Sequence, residues 1–334
     1  MRGFLGDGRL RLFALQGTES LGESIARQIG CGLAPLEERS FEDGEHKIRS
    51  LETVAGSDVY VVHSLHSGPD ESPNDKLCRL LFFISALKDA GAARVTAVVP
   101  YLCYARKDRR TKANDPVTIR YVAALFEAMG VDAIVTFEVH NDAAFENAFR
   151  CSSVALSAAP VLIGRIKEIA MDRAVAVVSP DLGGGKRADM LREALAKGLG
   201  RPIGKALVEK HRSSGVVSGD LFAGDVKGAL CIVVDDLVST GGTLVRAAKA
   251  ARGHGATEVI ACVAHGLFMP GAETALADDA IDRILATDSV PPFRLPPGPV
   301  RDKLEIVSAA PLFAEVIRRL NQGEALAELL PYQA

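Results

Sequence analysis

Residues 231–243 read CIVVDDLVSTGGT, and this stretch decides the fold. Four apolar residues lead to two adjacent aspartates, Asp235 and Asp236, and a turn rich in hydroxyl groups and glycine follows. In open α/β sheets, ligands bind beyond the carboxyl ends of the strands. We therefore expect a buried strand that ends at the two aspartates and delivers them to a ligand site.

The turn has the composition of a phosphate site. It contains Ser239, Thr240, Gly241, Gly242 and Thr243, and a helical pattern, LVRAAKAARG, follows. Glycines let backbone N–H groups approach an anion closely, and the helix N-terminus adds partial positive charge. Carboxylates accept hydrogen bonds from sugar hydroxyls or join a magnesium shell. The stretch therefore predicts a sugar-phosphate site, and an ordinary strand–turn–helix corner capped by aspartate is the alternative.

The pattern around this stretch extends over the chain. Short apolar, β-branched runs such as DVYVV and RVTAVV alternate with segments of helical periodicity. Such alternation is typical of an α/β protein whose mostly parallel sheets are flanked by helices. The pattern occurs twice, so we predict two domains, residues 1–152 and 153–304. We expect the tail, residues 305–334, to be helical and to join the first domain.

Composition limits the function. The 334 residues are 48% hydrophobic with a net charge of −3, so we expect neither a nucleic-acid partner nor a membrane partner. There is no apolar run of about 18 residues, and the start lacks the apolar core of a secretory signal, so we expect a cytoplasmic location. The six cysteines show no CxxC spacing and are predicted to be buried free thiols.

Residues 231–243 resemble the ribose-5-phosphate-binding loop of the type I phosphoribosyltransferase fold. Four further segments resemble the ribose-phosphate diphosphokinase family, also called phosphoribosyl pyrophosphate (PRPP) synthetases. They are FEDGEHKIR (41–49), VVPYLCYARKDRRTK (98–112), SPDLGGGKRA (179–188) and VEKHR (208–212). The resemblance covers nearly the whole chain. It implies two tandem phosphoribosyltransferase-type domains, the first for ATP and the second for ribose 5-phosphate, in a homo-oligomer, namely a hexamer built from dimers.

The resemblance assigns the segment FEDGE to the adenine of ATP bound to a neighbouring subunit. Phe41 would stack on the base, while Asp43 and Glu45 would face the purine edge. From the residues alone, this segment is equally a strand edge with solvated acids.

The segment YARKDRR places several cations after a predicted strand, an arrangement that suits a polyphosphate. The alternative is a solvated basic loop or a nucleic-acid patch. The resemblance assigns Arg106, Lys107 and Asp108 to ATP. The family usually has Gln at the position of Lys107, so this residue is a departure.

The resemblance also implies Mg²⁺ and names two residues for it. Asp181 would lie at the ribose or its magnesium, although a capped turn is the alternative reading of SPDLGGG. His140 would help to hold the magnesium–ATP complex. Where the family usually has Asp, this chain has Glu138.

Lys210 immediately precedes HRSSGVVSGDLFAGD, a polar, glycine-rich stretch predicted to be a mobile loop, and Arg212 is its second residue. The resemblance makes these two cations catalytic, although His211 departs from the usual Lys-Arg-Arg. The implied reaction transfers the diphosphoryl group of ATP to the 1-hydroxyl of ribose 5-phosphate and yields PRPP and AMP. Two alternatives remain: a phosphoribosyltransferase that consumes PRPP, and a catalytically silent relative that regulates an active synthetase.

Overall fold

The computed structural model describes the backbone of residues 9–213 and 216–330, and the side chains of residues 9–209 and 221–330. The chain divides into two compact units. The first comprises Met1–Ser157 with Ala310–Ala334, and the second comprises Ala158–Ala309.

The first unit contains a parallel sheet of five strands in the order β1-β4-β5-β6-β7, and a separate antiparallel pair, β2-β3. Its elements up to residue 157 are β1 (Leu10–Ala14), α1 (Glu19–Ile29), β2 (Leu36–Ser40), β3 (His46–Ser50), β4 (Asp58–Val62), α2 (Pro73–Asp89), β5 (Arg94–Val99), α3 (Thr118–Ala128), β6 (Ala133–Phe137), α4 (Asp142–Ala148) and β7 (Ser152–Leu156). Every residue of β4 and β6 is buried, as expected for a sheet with both faces covered.

The second unit contains a sheet of seven strands in the order β10-β9-β8-β11-β12-β13-β14, parallel except for the pair β10-β9. Its elements are α5 (Ala159–Ala170), β8 (Val175–Ser179), α6 (Gly185–Leu199), β9 (Gly204–Ser213), β10 (Val216–Gly224), β11 (Leu230–Val238), α7 (Gly242–Gly253), β12 (Glu258–Gly266), α8 (Ala272–Leu276), β13 (Arg283–Thr287), α9 (Pro299–Lys303) and β14 (Leu304–Val307). Two mostly parallel, helix-flanked sheets confirm the predicted fold class.

The tail forms α10 (Ala310–Gln322), followed by a 3-10 turn, Ala327–Leu329, whereas its first residues, up to Val307, belong to strand β14 of the second sheet and not to a helix. This helix packs within the first unit, where the rings of Phe313 and Phe137 lie 5.6 Å apart. Near its end, Asn321 Nδ2 donates to Asp58 Oδ2 at 2.9 Å. The helix therefore has both an apolar and a polar attachment to the first sheet.

The predicted loop at residues 211–225 was wrong. Residues 211–225 were expected to form a loop, but their described backbone belongs largely to the antiparallel pair β9-β10. Glycine and serine in SSGVVSG favour a loop when the sequence is taken alone, whereas the backbone from Val216 pairs antiparallel with the preceding strand, β9. Residues 214 and 215 lie outside the described residues.

The six cysteines are free, as predicted, although only Cys103, Cys231 and Cys262 are buried. Cys78 is exposed and the other two are half-buried, so the expectation of burial holds for three. Within the described part of the chain, every helix is too short or too polar to cross a membrane.

Candidate functional site

The second sheet contains a reversal of strand order between β8 and β11. From β8 the chain passes through α6 to β9 on one side, and from β11 it passes through α7 to β12 on the other side. Neighbouring connections that diverge in this way leave a crevice at the carboxyl ends of the two strands. The loop containing Asp181 and the turn at residues 239–241 both leave the sheet at this crevice.

Strand β11 is longer than its neighbour β8 at this edge. The pairing with β8 ends at Val233↔Val178, whereas the pairing with β12 continues to Val238↔Gly266. The strand was predicted to end at the aspartates. It instead continues for two more residues, because β12 provides hydrogen-bond partners for them. Asp235 and Asp236 lie in the segment of β11 that extends past β8.

A guanidinium group faces both aspartates. Arg187 Nη1 lies 3.8 Å from Asp235 Oδ1, and Arg187 Nη2 lies 3.9 Å from Asp236 Oδ2. Burial, followed by the neighbouring charge of Asp236, raises the pKa of Asp235 to about 7, and Arg187 opposes this rise. The pair thus places carboxylate oxygens where there is little solvent, which suits hydroxyl donors or a cation.

The turn before α7 requires one glycine and leaves space at the next. Gly241 has a φ of 84°, and a Cβ there would lie 2.7 Å from the side chain of Leu276. At Gly242, where α7 begins, a Cβ would meet nothing within 4 Å. The N-cap residue is Gly241, which has no side chain to bond to the first turn of α7. Open space beside an uncapped helix N-terminus fits a monophosphate.

Asp181 follows β8 and is exposed. Its Oδ1 accepts a hydrogen bond from the Gly184 N–H at 2.9 Å, and its carbonyl oxygen accepts one from Ser179 Oγ at 2.7 Å. The carboxylate therefore caps the turn into α6, which was the structural alternative. A contact with ribose or magnesium would have to come from the same carboxylate and stays a prediction.

In the first unit, residues 41–45 form the turn between β2 and β3. The Phe41 N–H donates to Glu45 O at 2.7 Å, and the Glu45 N–H donates to Asp43 Oδ1 at 3.1 Å. All five residues are exposed, and the Arg39 guanidinium carbon lies 5.1 Å from the Phe41 ring centroid. The segment is a hairpin turn rather than a strand edge, and it presents an aromatic face and two acids to solvent.

The loop after β5 contains the predicted ATP cations. Arg106 is exposed. Lys107 Nζ, however, donates to Asp115 Oδ2 at 2.7 Å, and this bond is the largest of several that lower the pKa of Asp115. Asp108 Oδ2 accepts from Asn141 Nδ2 at 2.6 Å. The ammonium of Lys107 thus already has a partner in its own loop.

His140 lies in the turn after β6 and is exposed. Its neighbour Asn141 caps α4 and, through Asp108, links this turn to the loop after β5. Since β5 and β6 are adjacent and parallel, His140 and Arg106 leave the sheet at the same edge. The protein offers few metal ligands here. In the described part of the chain, no three His, Cys, Asp or Glu residues cluster as a metal site. A magnesium ion would therefore need phosphate oxygens and water as its main ligands, as Mg²⁺ commonly does.

Lys210 and Arg212 lie in β9, where they are opposite Asp220 and Val217 in the pairing with β10. Their side chains lie outside the described residues, so their catalytic assignment stays a prediction. Arg187, by contrast, was overlooked as a site residue. Its position three residues into α6, directly after a glycine-rich turn at a strand end, was the signal that could have identified it.

The chain contains two helix-covered α/β units, and one of them has paired acids and a phosphate-type turn at a strand-order reversal. These features define a protein of the phosphoribosyltransferase fold class. Sequence comparison narrows this class. A family model described as the N-terminal domain of ribose phosphate pyrophosphokinase matches residues 10–130, and one described as the phosphoribosyl synthetase-associated domain matches residues 219–331. The chain belongs to the ribose-phosphate pyrophosphokinase family of transferases, enzymes of nucleotide biosynthesis that are also called diphosphokinases.

Individual relatives are similar in sequence to this chain over almost their whole length. The chain is 37% identical to the ribose-phosphate pyrophosphokinase of Caldanaerobacter subterraneus, covering 96% of this chain and 97% of the relative. It is 35% identical to that of Listeria ivanovii, with 97% and 98% covered. The crystal structure of phosphoribosylpyrophosphate synthetase from Mycobacterium smegmatis matches with a TM-score of 0.83 at 32% identity, covering 94% of this chain and 99% of that one. The family inferred from the motifs is confirmed.

Proposed function

We propose that this protein transfers the β,γ-diphosphoryl group of ATP to the 1-hydroxyl of ribose 5-phosphate, giving PRPP and AMP. The observation that carries the proposal is the crevice at β8 and β11, where Asp235 and Asp236 lie at the strand-order reversal beside the open turn at Gly242. Full-length similarity to ribose-phosphate pyrophosphokinases supports the choice of reaction.

The sugar phosphate would bind in the second unit. The N–H groups and hydroxyls of Ser239, Thr240, Gly241, Gly242 and Thr243 would hold the 5-phosphate. Asp235 and Asp236 would accept hydrogen bonds from the ribose hydroxyls and so orient the 1-hydroxyl. Holding two reactants in a reactive geometry can remove roughly 7–11 kcal/mol of barrier.

The nucleotide would bind the first unit. Arg106, Lys107 and Asp108 would contact ATP from the loop after β5. Phe41, Asp43 and Glu45 would contact the adenine of a neighbouring subunit's ATP. This arrangement needs a homo-oligomer, and we propose a hexamer built from dimers.

Magnesium would neutralise part of the charge on the phosphates. His140 would hold the ion of the ATP complex and Asp181 the ion beside the ribose. Lys210 and Arg212 would stabilise charge on the transferring group and on the departing AMP. A segment that closes over the reactants would exclude water and so limit hydrolysis of ATP.

Two other functions share parts of this arrangement. A phosphoribosyltransferase that consumes PRPP would use the same crevice, but it gives no role to the exposed turn at residues 41–45 or to the loop after β5. A silent regulatory relative is favoured by one observation, the pairing of Lys107 with Asp115, which occupies an expected ATP contact.

Incubation of the purified protein with ATP, ribose 5-phosphate and Mg²⁺, with AMP and PRPP measured, tests the proposal. We expect both products in equal amounts, and AMP production that depends on ribose 5-phosphate. Consumption of PRPP with a free base, without AMP from ATP, would identify the transferase. Binding of both substrates without turnover would identify the silent relative.

A further inference from the structure

Helix α2 contacts both ends of the exposed turn at residues 41–45. The turn is closed by Ser40 and His46, which are partners in the β2-β3 register. Arg79 Nη2 donates to Ser40 Oγ at 3.4 Å. The ring of Phe82 stacks on His46, with centroids 5.5 Å apart and planes 19° apart. Arg79 and Phe82 are three residues apart and therefore lie on one face of α2.

Arg79 is itself rigidly held. It is only 6% exposed, and Nη2 forms a 2.8 Å ion pair with Glu71 Oε1. Its Nη1 donates to Gln16 Oε1 at 3.2 Å, and the Gln16 N–H donates to Glu38 Oε2 on β2 at 3.0 Å. The buried Nε has no hydrogen-bond partner among the described residues, so the two Nη atoms restrain the guanidinium, and losing one of their partners would leave a desolvated charge still less satisfied.

The surroundings of the stacked imidazole favour its neutral form. Burial, followed by the charge of Arg79, lowers the pKa of His46. An uncharged ring can lie beside a guanidinium without repulsion and can stack on Phe82. The two α2 contacts are therefore compatible with each other.

The hairpin that presents the turn is anchored in the core through Ile48 of β3, but the turn itself is exposed along its whole length. Strands β2 and β3 form a sheet of only two strands, an arrangement that is marginally stable alone. Within the turn, the described hydrogen bonds are local, from Phe41 to Glu45 and from Glu45 to Asp43. The helix thus supplies the anchor that a bare turn lacks.

We propose that Arg79 and Phe82 are positioning residues that fix how the turn at residues 41–45 is presented to a purine base, and so set selectivity for adenine over guanine nucleotides. This inference rests on the proposed function, in which Phe41 stacks on the base while Asp43 and Glu45 face its polar edge. Ionised acids are acceptors, so an acid that faces position 6 of the purine favours the exocyclic amine of adenine over the carbonyl oxygen of guanine. That discrimination requires the acids to be held in place.

The kinetic test compares Arg79→Met and Phe82→Ala with the parent, using ATP and GTP at saturating ribose 5-phosphate. We expect KM for ATP to rise about tenfold and the ATP-to-GTP ratio of kcat/KM to fall at least fivefold. We expect kcat and KM for ribose 5-phosphate to stay within twofold. Tyr121→Ala removes an exposed aromatic from α3 and is the matched control, which should behave as the parent.

A second measurement does not need activity. The chain has no tryptophan, so Phe41→Trp gives a single reporter in the turn. Fluorescence anisotropy decay of that variant, with and without Phe82→Ala, measures the local motion of the turn. We expect a larger fast component when Phe82 is removed, and Phe82, being 55% exposed, can be removed without loss of the fold.

The two measurements separate the possible failures. Unchanged anisotropy together with an unchanged ATP-to-GTP ratio would overturn the inference, as would equal losses toward both substrates. A parent that releases no AMP would refute the proposed function instead, and the anisotropy decay would still decide whether α2 holds the turn.

Discussion

Arg187 faces Asp235, with its Nη1 3.8 Å from the carboxylate Oδ1. The guanidinium opposes the rise in the pKa of Asp235 that burial causes. We predict that Arg187→Met raises this pKa further and weakens ribose 5-phosphate binding roughly 5- to 30-fold at pH 7, with partial recovery at pH 8.5 as the carboxyl ionises. Isothermal titration at several pH values measures the effect.

Arg192→Met is the control for this variant. Arg192 lies on the same helix but pairs with Asp189 and Glu193, away from the aspartate pair. An Arg187→Met loss of equal size at every pH would show that the guanidinium contacts the ligand directly instead of acting through Asp235.

The same carboxyl group should make stability depend on pH. The pKa of Asp235 is about 7 in the folded chain against 3.8 for an unperturbed aspartate, so the folded state binds more protons between these values. The free energy of unfolding should therefore fall as pH rises from 4 to 7. We predict that Asp235→Asn stabilises the protein by roughly 1–3 kcal/mol at pH 8 and much less at pH 4. Urea unfolding at both pH values is the measurement, and equal gains at both would contradict the assignment.

Much of the fold was predictable because buried strands are rich in apolar residues. Strands β4, β6 and β8 are buried along their whole length, so each appears as a continuous apolar run. Strands β2 and β3 have exposed, charged residues and were not predicted as strands. Their pairing depends on register and on support from α2, which a local pattern does not record.

The site was predictable in location but not in its internal contacts. Paired acids and a glycine turn identify the end of β11 from local sequence alone. Local sequence does not identify the partners of charged groups in the same way. Lys107 could have paired with any nearby acid or with a ligand, and in the structure it pairs with Asp115, eight residues away. Asp181 likewise could have faced a ligand, and its Oδ1 instead caps its own turn.

The attachment of α10 to the first sheet should contribute measurably to the free energy of unfolding. Asp58 is fully buried at the start of β4, where it pairs with Arg94 and accepts a hydrogen bond from Asn321. We predict that Asp58→Ala costs about 3–5 kcal/mol, because it leaves a partly buried guanidinium without its partner. Asn321→Ala should cost about 1 kcal/mol for a single hydrogen bond.

Arg318→Ala on α10 is the comparison for both changes. Arg318 forms ion pairs with Glu315 and Glu324 near the surface, and exposed pairs contribute little to stability. Thermal unfolding should rank the three variants with Asp58→Ala lowest. Indistinguishable midpoints would mean that α10 is held by its apolar contacts alone.

The two predicted catalytic cations can be separated from binding by kinetics. If Lys210 and Arg212 act on the transition state, alanine at either position should lower kcat at least 100-fold while the Kd for ribose 5-phosphate stays within threefold. Lys205→Ala is a matched control on the same strand, because Lys205 Nζ is bound to Asp189 Oδ2 at 2.7 Å. Parallel losses in kcat and affinity would make Lys210 and Arg212 binding residues.

The two adjacent glycines of the turn allow phosphate binding to be tested apart from folding. At Gly241, φ is 84° and a Cβ would lie 2.7 Å from Leu276, so Gly241→Ala should destabilise the protein by about 1–3 kcal/mol. At Gly242 a Cβ meets no atom within 4 Å, so Gly242→Ala should leave the unfolding midpoint unchanged.

In the proposed site, the phosphate would reach the N–H groups at the start of α7 through the space that Gly242→Ala fills. We therefore predict that this variant binds ribose 5-phosphate at least tenfold more weakly, although it is as stable as the parent. Binding of ribose, which lacks the phosphate, should not change between the two proteins. If Gly242→Ala keeps full affinity for ribose 5-phosphate, the phosphate is held elsewhere, because an added methyl group and an anion cannot occupy the same volume.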